Sequence, residues 1–507
     1  MSKSSEFSVI GHGAVSDGFT LNTAAFQAAI DQCSQTGGGA VVVPAGRFVI
    51  GTLILKDNVT LHLAKDATLL GSPNAADYQN PLPFKDGTGA ELGAALILAI
   101  DAKNVGIEGE GTIDGQGKAV SAAQGGGKNY TMRPFLIRWE RCAGVTVRGV
   151  HLTNPGAWTM HFSQCQDVLA EKVTIRSHGL SNNDGIDIDS CQRVVIKDCD
   201  IDSGDDAICF KATSGKPCRD VTVSNCRLKS NCGAIKFGTE SVGDFENINI
   251  SHCQIRDTRL GGIKIFSVDG AHLQNVTISD ITMDNVATPI FMRLGERLKT
   301  FRPNDEKKPV AGIMKNVTIR NIVAKSADKA TISPPSGIFI TGIPGYRIEN
   351  VTLENISIEL PGGGTREDGR RVMEENIKSY PEINRFGPGL PAFGIYARHV
   401  AGLKLRDIKL SLRAPDARPA IVCIDGVDLD LERIAIPGNA DAESVIRLES
   451  VTSAALTSIA VEGTAQSFLR VEGESSSGIE LKEIHLAVGS RVSDLGDGVP
   501  SSAVTQK

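Results

Sequence analysis

Between Cys142 and Ile278 apolar residues return at every second position in short runs: Val145 and Val147, Val168 and Ala170, Val194 and Ile196, Val221 and Val223, Ile248 and Ile250, Val276 and Ile278. Alternation with period two is the mark of a half-buried β-strand. The runs belong to a repeat. CAGVTV begins at Cys142, CQDVLA at Cys165, CQRVVI at Cys191, CRDVTV at Cys218, FENINI at Phe245 and LQNVTI at Leu273, at steps of 23, 26, 27, 27 and 28 residues. Further copies start at Met314, Ile348 and Val400, surround Val59 and Val105, and place Ile408, Ile434, Ile459 and Ile484 at steps of 26, 25 and 25. A unit of about 25 residues with two or three short strands cannot close a core alone, but stacked units bury a continuous one, each strand pairing in parallel with its counterpart on the next coil. The pattern predicts an all-β, single-domain right-handed parallel β-helix of about ten to twelve coils. Leucine-rich repeats have a similar period but need Leu-x-x-Leu-x-Leu, which these units lack.

One segment, TLNTAAFQAAIDQC from Thr20, instead places Ala, Phe and Ile at helical spacing. A helix there would cover the first open coil, whose strand edges are otherwise exposed. The expected organisation is therefore an N-terminal segment and capping helix over 1–36, the β-helix over 37–490 and a C-terminal tail over 491–507. Steps longer than one coil mark insertions: the 41 residues before Met314 leave a loop near 293–312, and the 52 before Val400 leave one near 361–391. Loops of that length in a compact repeat are usually functional.

Composition narrows the partners. The charge sum of −6, from 53 basic and 59 acidic residues, supplies no global positive field for a nucleic acid or an acidic membrane. The longest uncharged stretches, such as Ser34 to Gly46, fall short of a membrane span. MSKSSEF at the start shows no signal peptide. The eleven cysteines include no Cys-x-x-Cys pair, and no His-Glu-x-x-His occurs, so zinc and thioredoxin-type chemistry lack support. They read as buried, reduced thiols. Sequons at Asn58, Asn129, Asn249, Asn275, Asn316, Asn350 and Asn355 mostly follow from the Asn-Val-Thr strand pattern and say little about glycosylation.

Acidic residues concentrate in two neighbouring coils, NNDGIDID over 182–189 and SGDDAICFK over 203–211. Aligning Gly185-Ile186 with Ala207-Ile208, Ala234-Ile235 and Gly262-Ile263 brings Asp184 beside Asp206, with Asp205 above Cys232. Adjacent coils lie about 4.8 Å apart, so three carboxylates crowd one patch. Like charges raise each other's pKa, a cost tolerated where one group must stay protonated as an acid. Two carboxyls with separated pKa values are the minimal apparatus of glycoside hydrolysis. A calcium site, or turn aspartates satisfying backbone amides, is the other use of such residues. Beside the acids runs a line of cations, Lys211, Lys236, Lys264 and Arg293, inside the apolar strands ICFKA, AIKFG, GIKIF and IFMRL. A lane of cations suits a polymer with repeated carboxylates. Trp158 and His161 in NPGAWTMH are either sugar platforms or packing residues. Gly109, Gly111 and Gly115 lack dinucleotide spacing and read as turns.

At GHGAVSDG, GEGTIDGQG, NPGAW, NNDGIDIDSC, SGDDAICFK and YPEINRFG the sequence resembles glycoside hydrolase family 28, the polygalacturonase family. The resemblance implies that Asp205 is the general acid, that Asp184 and Asp206 activate water with inversion at the anomeric carbon, and that Lys264 matches the last lysine of the family's Arg-Ile-Lys motif. The family's histidine position holds Cys232 and its arginine position Gly262. Members acting on rhamnogalacturonan or other decorated pectins also stray there. Lyases, uronan epimerases and carbohydrate-binding fibres share the β-helix and remain competing classes. The expectation is an enzyme that cleaves an acidic, pectic poly- or oligosaccharide without organic cofactor or metal, secreted or periplasmic by its substrate, with the two insertions walling one end of a groove so that chain ends are attacked.

Overall fold

The computed structural model describes residues 5–124 and 133–507. The first four residues of the expected N-terminal segment and the Asn129 sequon lie outside the described residues. The chain divides into two compact units, one of Met1–Ile248 with Lys299–Lys307, the other of Asn249–Leu298 with Lys308–Lys507. Each is a stack of parallel coils, and the fold is the right-handed parallel β-helix that the repeat implies.

In the first unit helix α1 (Thr23–Gln35) buries Phe26, Ala29, Ile30 and Cys33, one stripe at helical spacing, with Phe26 edge-on to Phe48 at 5.6 Å. Its Gln27 side chain also satisfies an open strand: it accepts from the Ile54 amide at 2.9 Å and donates to the Ile54 carbonyl at 3.0 Å. That is the capping role expected of it. The ladder that matters for function runs through β1 (Leu53–Leu55), β2 (Ala95–Ile100), β3 (Phe135–Glu140), β4 (Met160–Ser163), β5 (Ile186–Asp189), β6 (Ile208–Ala212) and β7 (Gly233–Ser241). Leu53, Ile97, Ile137, Met160, Ile186, Ile208 and Ile235 stack one above the next on its inner face. A second ladder stacks Val145, Val168, Val194 and Val221.

The second unit repeats the plan through β8 (Gly261–Ser267), β9 (Ile290–Leu294), β10 (Ile338–Thr341), β11 (Ile395–Ala401), β12 (Ile421–Pro437), β13 (Ile446–Glu462), β14 (Ser467–Glu472) and β15 (Arg491–Leu495). Ile263, Ile290, Ile338, Ile395, Ile421, Ile446, Leu469 and Ser493 are its consecutive rungs. Seven rungs are described in one unit and eight in the other. The stretch 491–507 is not merely a tail. It supplies β15 and β16 (Val504–Gln506), the latter paired with Ser477–His485.

The sequon asparagines explain themselves. Asn275, Asn316 and Asn350 adopt left-handed backbone at a coil corner, which short amide side chains tolerate, and their side chains form a ladder, Asn350 to Asn316 at 3.3 Å and Asn316 to Asn275 at 3.4 Å. All eleven cysteines are free thiols, and all but the half-buried Cys232 are buried. The backbone amides of Cys142 and Cys165 donate to the sulfur of the cysteine one coil on, at 3.4 and 3.2 Å.

Candidate active site

The corner before β5 must come close to the next coil. A Cβ at Gly185 would lie 2.4 Å from the Ala207 carbonyl oxygen, so Asn-Asp-Gly needs its glycine. Asn183 fixes the corner by donating to the carbonyls of Pro155 and Ala157, while the Gly185 amide donates to the Asp206 carbonyl at 2.8 Å. The Asp205 peptide oxygen accepts the hydroxyls of Ser203 and Ser230 at 2.6 and 2.5 Å, from two successive coils. Backbone and hydroxyls thus carry much of the hold on both acidic corners, and the Asp205 carboxylate adds one bond, accepting the Asp206 amide at 3.0 Å.

The expected stacking is present in this unit. Asp184 and Asp206 each present an oxygen within 4.8 Å of the other and of the Cys209 sulfur, and Asp205 and Asp206 do so with the Cys232 sulfur. Asp184 and Asp206 are buried, at 3% and 1% exposure, and Asp205 is half-buried. Burial, then the neighbouring Asp187 and Asp205, holds the Asp184 carboxyl well above the ordinary carboxylate range. Burial, then Asp206, also raises Asp205. Asp206 accepts the Gly233 amide at 3.0 Å and the Lys236 ammonium at 2.6 Å. The two donor sets are also where a metal ion would be held, although Lys236 already brings a cation to the carboxylate they share.

The lane of cations expected to face the polymer is placed differently. Lys211 and Lys236 are both 3% exposed and serve the acids: Lys211 lies 3.3 Å from Glu240, 3.6 Å from Asp187 and 3.9 Å from Asp184, with its ammonium 4.3 Å from the Trp158 ring centroid. Burial opposes the Lys211 charge, yet Cys209, Glu240, Asp187 and Asp184 around it keep it protonated well above the usual lysine range. A cation inside an apolar strand needs partners, and the nearby acids provide them. Lys264 and Arg293 belong to the second unit. Lys264 is fully buried and ion-paired with Glu382 of the 361–391 insertion at 2.6 Å. Arg293 is a residue of β9, not of a loop, and donates to the carbonyls of Gly342, Glu375 and Asn376.

Two participants escaped the sequence reading. Asp187 projects outward from β5 beside Lys211, and burial pushes its carboxyl up to about 8; counting two from Asp189, with Ile186 and Ile188 inward, would have found it. Glu240 on β7 accepts the Gly87 amide at 2.7 Å, which ties a distant loop to the ladder. Trp158 and His161 are packing residues. Trp158 lies against Phe84 and Phe135, and His161 is fully buried, 3.3 Å from Asp189. The segment 299–307 of the first insertion reaches the same ladder: Arg302 donates to Ser163 and Asp189 at 2.9 and 3.3 Å and covers the Phe84 ring.

Crowded carboxyls on the outer face of a parallel β-helix, one of them half-buried and held above the ordinary carboxylate range and another paired with a lysine, make a site equipped for acid–base chemistry. The chain belongs to the glycosyl hydrolases family 28, whose family model matches residues 33–376. It is 37% identical to a probable polygalacturonase of Vitis vinifera over 215 residues, 40% of this chain and 44% of that protein. It is 31% identical to an exo-poly-alpha-D-galacturonosidase of Dickeya chrysanthemi over 252 residues, 40% of this chain and 42% of that protein. The match thus spans less than half the length of either relative. In fold it is similar to the family 28 exopolygalacturonase of Yersinia enterocolitica, with a TM-score of 0.67 at 21% identity over 84% of this chain and 78% of that one.

Proposed function

We propose that this protein hydrolyses glycosidic bonds in a uronate-containing, pectic poly- or oligosaccharide. Asp205 protonates the leaving oxygen, Asp206 takes the proton of the attacking water, and Asp184, whose carboxyl is held above the ordinary range, orients that water. The observation that carries this reading is the contrast within one patch: Asp205 is half-exposed with its pKa raised, while Asp206 is buried and bound to Lys236 at 2.6 Å. An acid that keeps its proton must touch the substrate, and a base must be ionised.

Inversion follows from burial. Separations of about 5 Å between carboxyls usually accompany a covalent intermediate. Asp184 and Asp206, however, are buried, at 3% and 1% exposure, and neither is presented as an open nucleophile, so we assign both to the attacking water. The names of the relatives support a polygalacturonide as substrate. Cys232 in place of the family's histidine favours a decorated pectin such as rhamnogalacturonan as the second candidate. Attack at chain ends is supported by the segment 299–307, which Arg302 pins against the acid-bearing ladder. A polymeric substrate of this class would be met outside the cytoplasm, which supports a secreted or periplasmic protein.

Two measurements on polygalacturonate and defined rhamnogalacturonan oligomers test the reading. Proton NMR of the first product should show the inverted anomer; the retained anomer would overturn the water-activation role. Viscosity should fall slowly relative to new reducing ends, whereas a steep early loss would mean internal cleavage.

A further inference from the structure

The second unit contains a cavity of about 340 Å³ where the 361–391 insertion meets the outer face of β11–β13. Arg370 and Arg371 line it from the insertion, and Tyr396, Arg398, Ile424 and Arg447 line it from the sheet. The register places Tyr396, Val422 and Arg447 on successive rungs of one column, so the sheet presents a hydroxyl and a guanidinium along a single line.

Three of the four guanidiniums are satisfied. Arg370 bridges Glu443 and Glu472, Arg371 pairs with Asp368, and Arg398 pairs with Glu375 at 3.0 Å and donates to the carbonyls of Met373 and Glu374. Arg447 differs. Its Nη1 donates to the Gly369 carbonyl at 2.7 Å and lies 4.0 Å from Glu443, but its Nε is buried without a hydrogen-bond partner in a residue 4% exposed. The Tyr396 hydroxyl, in a residue 1% exposed, is likewise without one, and so is Glu375 Oε2. Buried polar atoms are rarely left unpaired, and several converging on one cavity indicate a ligand that completes them. Two unpaired donors lining one cavity from rungs two apart suit an anionic group between them, a glutamate oxygen suits a sugar hydroxyl, and Ile424 offers an apolar surface to the C–H face of a ring.

We propose that this cavity binds one uronate residue of an acidic oligosaccharide, its carboxylate held by Arg447 and the Tyr396 hydroxyl and a ring hydroxyl by Glu375, as a binding site additional to the acid cluster. Glu375, Glu449 and Glu472 also line the cavity and offset its guanidiniums, so the choice of a uronide rests on the hydrolase reading and the place of its carboxylate on the unpaired Arg447 Nε and Tyr396 hydroxyl.

The test is calorimetric binding of trigalacturonate to full-length Asp205→Asn protein, alone and combined with Arg447→Gln or Tyr396→Phe. Two binding events are expected, one of them weakened about tenfold or more by either second substitution with the other unchanged. A neutral trisaccharide should lose the cavity event altogether. No binding, or an isotherm that neither substitution alters in protein of native circular dichroism, overturns the proposal. Should Arg447→Gln fail to fold, Tyr396→Phe, which removes one oxygen, decides alone. Hydrolysis by the unsubstituted enzyme is measured alongside. Turnover with an unaltered isotherm defeats this site only, and a variant-sensitive binding event without turnover of any uronide defeats the hydrolase reading only.

Discussion

The same strand ladder is used in two opposite ways in the two units. On β5–β7 the outward column reads Asp187, Cys209, Lys236, with Asp189 and Lys211 beside it, and its charges neutralise one another across the rungs. On β9–β12 the corresponding column reads Phe291, Phe339, Tyr396, Val422, and the 361–391 insertion packs Met373, Ile383, Phe386 and Leu390 over it. The inward isoleucines are alike in both. The coil is therefore an indifferent scaffold, and what each rung does is decided by the outward residue and by what covers it.

If that is right, substitutions on the two columns should fail differently. Asp205→Asn should cost about 10² to 10⁴ in kcat, the range for removing a general acid, with an unchanged melting temperature. Phe339→Ala should do the reverse. Its ring stacks on Phe291 at 4.9 Å and meets Phe386 edge-on at 5.2 Å, so its loss should cost about 3–5 kcal/mol of stability by denaturant titration. An active-site variant that unfolds, or a stable Phe339→Ala, would blur the contrast.

Asp187 sharpens it. Its folded pKa of about 8 exceeds the ordinary carboxylate value, so the folded state binds the proton more tightly than the unfolded chain. The resulting stability is complete below the unfolded pKa near 4 and is lost as pH rises through 8. Asp187→Asn should therefore flatten the decline in melting temperature between about pH 4 and 8. The raised pKa of Asp205 carries the same sign into turnover: kcat should fall as pH rises through it, because the protonated form is the acid. The smallest effect expected is none. EDTA should leave the rate unchanged, since Lys236 supplies the cation at Asp206; a rate restored by added calcium would contradict this.

What could be read from the sequence was what has a period. Alternation fixed the strands, the marker valines fixed the register from Val145 to Val221, and aligning Gly185-Ile186 with Ala207-Ile208 placed Asp184 beside Asp206. Where strands are apolar on both faces, as in IFMRL or IYARH, period two disappears, and although the long step before Val400 marks the 361–391 insertion, nothing shows that it covers Phe291 and Tyr396. The lysines misled for a related reason. A cation within an apolar strand was recognised as needing a partner, but the chain does not say whether that partner is a substrate or the acid one coil away. Asp187 was within reach of the alternation, between the inward Ile186 and Ile188, whereas Glu240 acts through contacts between coils, which no local pattern records.

The central claim is that Asp205 donates a proton while water cleaves the bond. It is tested most directly by digesting polygalacturonate and rhamnogalacturonan oligomers in ¹⁸O-labelled water and weighing the products. The account predicts saturated products that carry one ¹⁸O at the new reducing end. Unlabelled products with an unsaturated, ultraviolet-absorbing end would show elimination instead and contradict it.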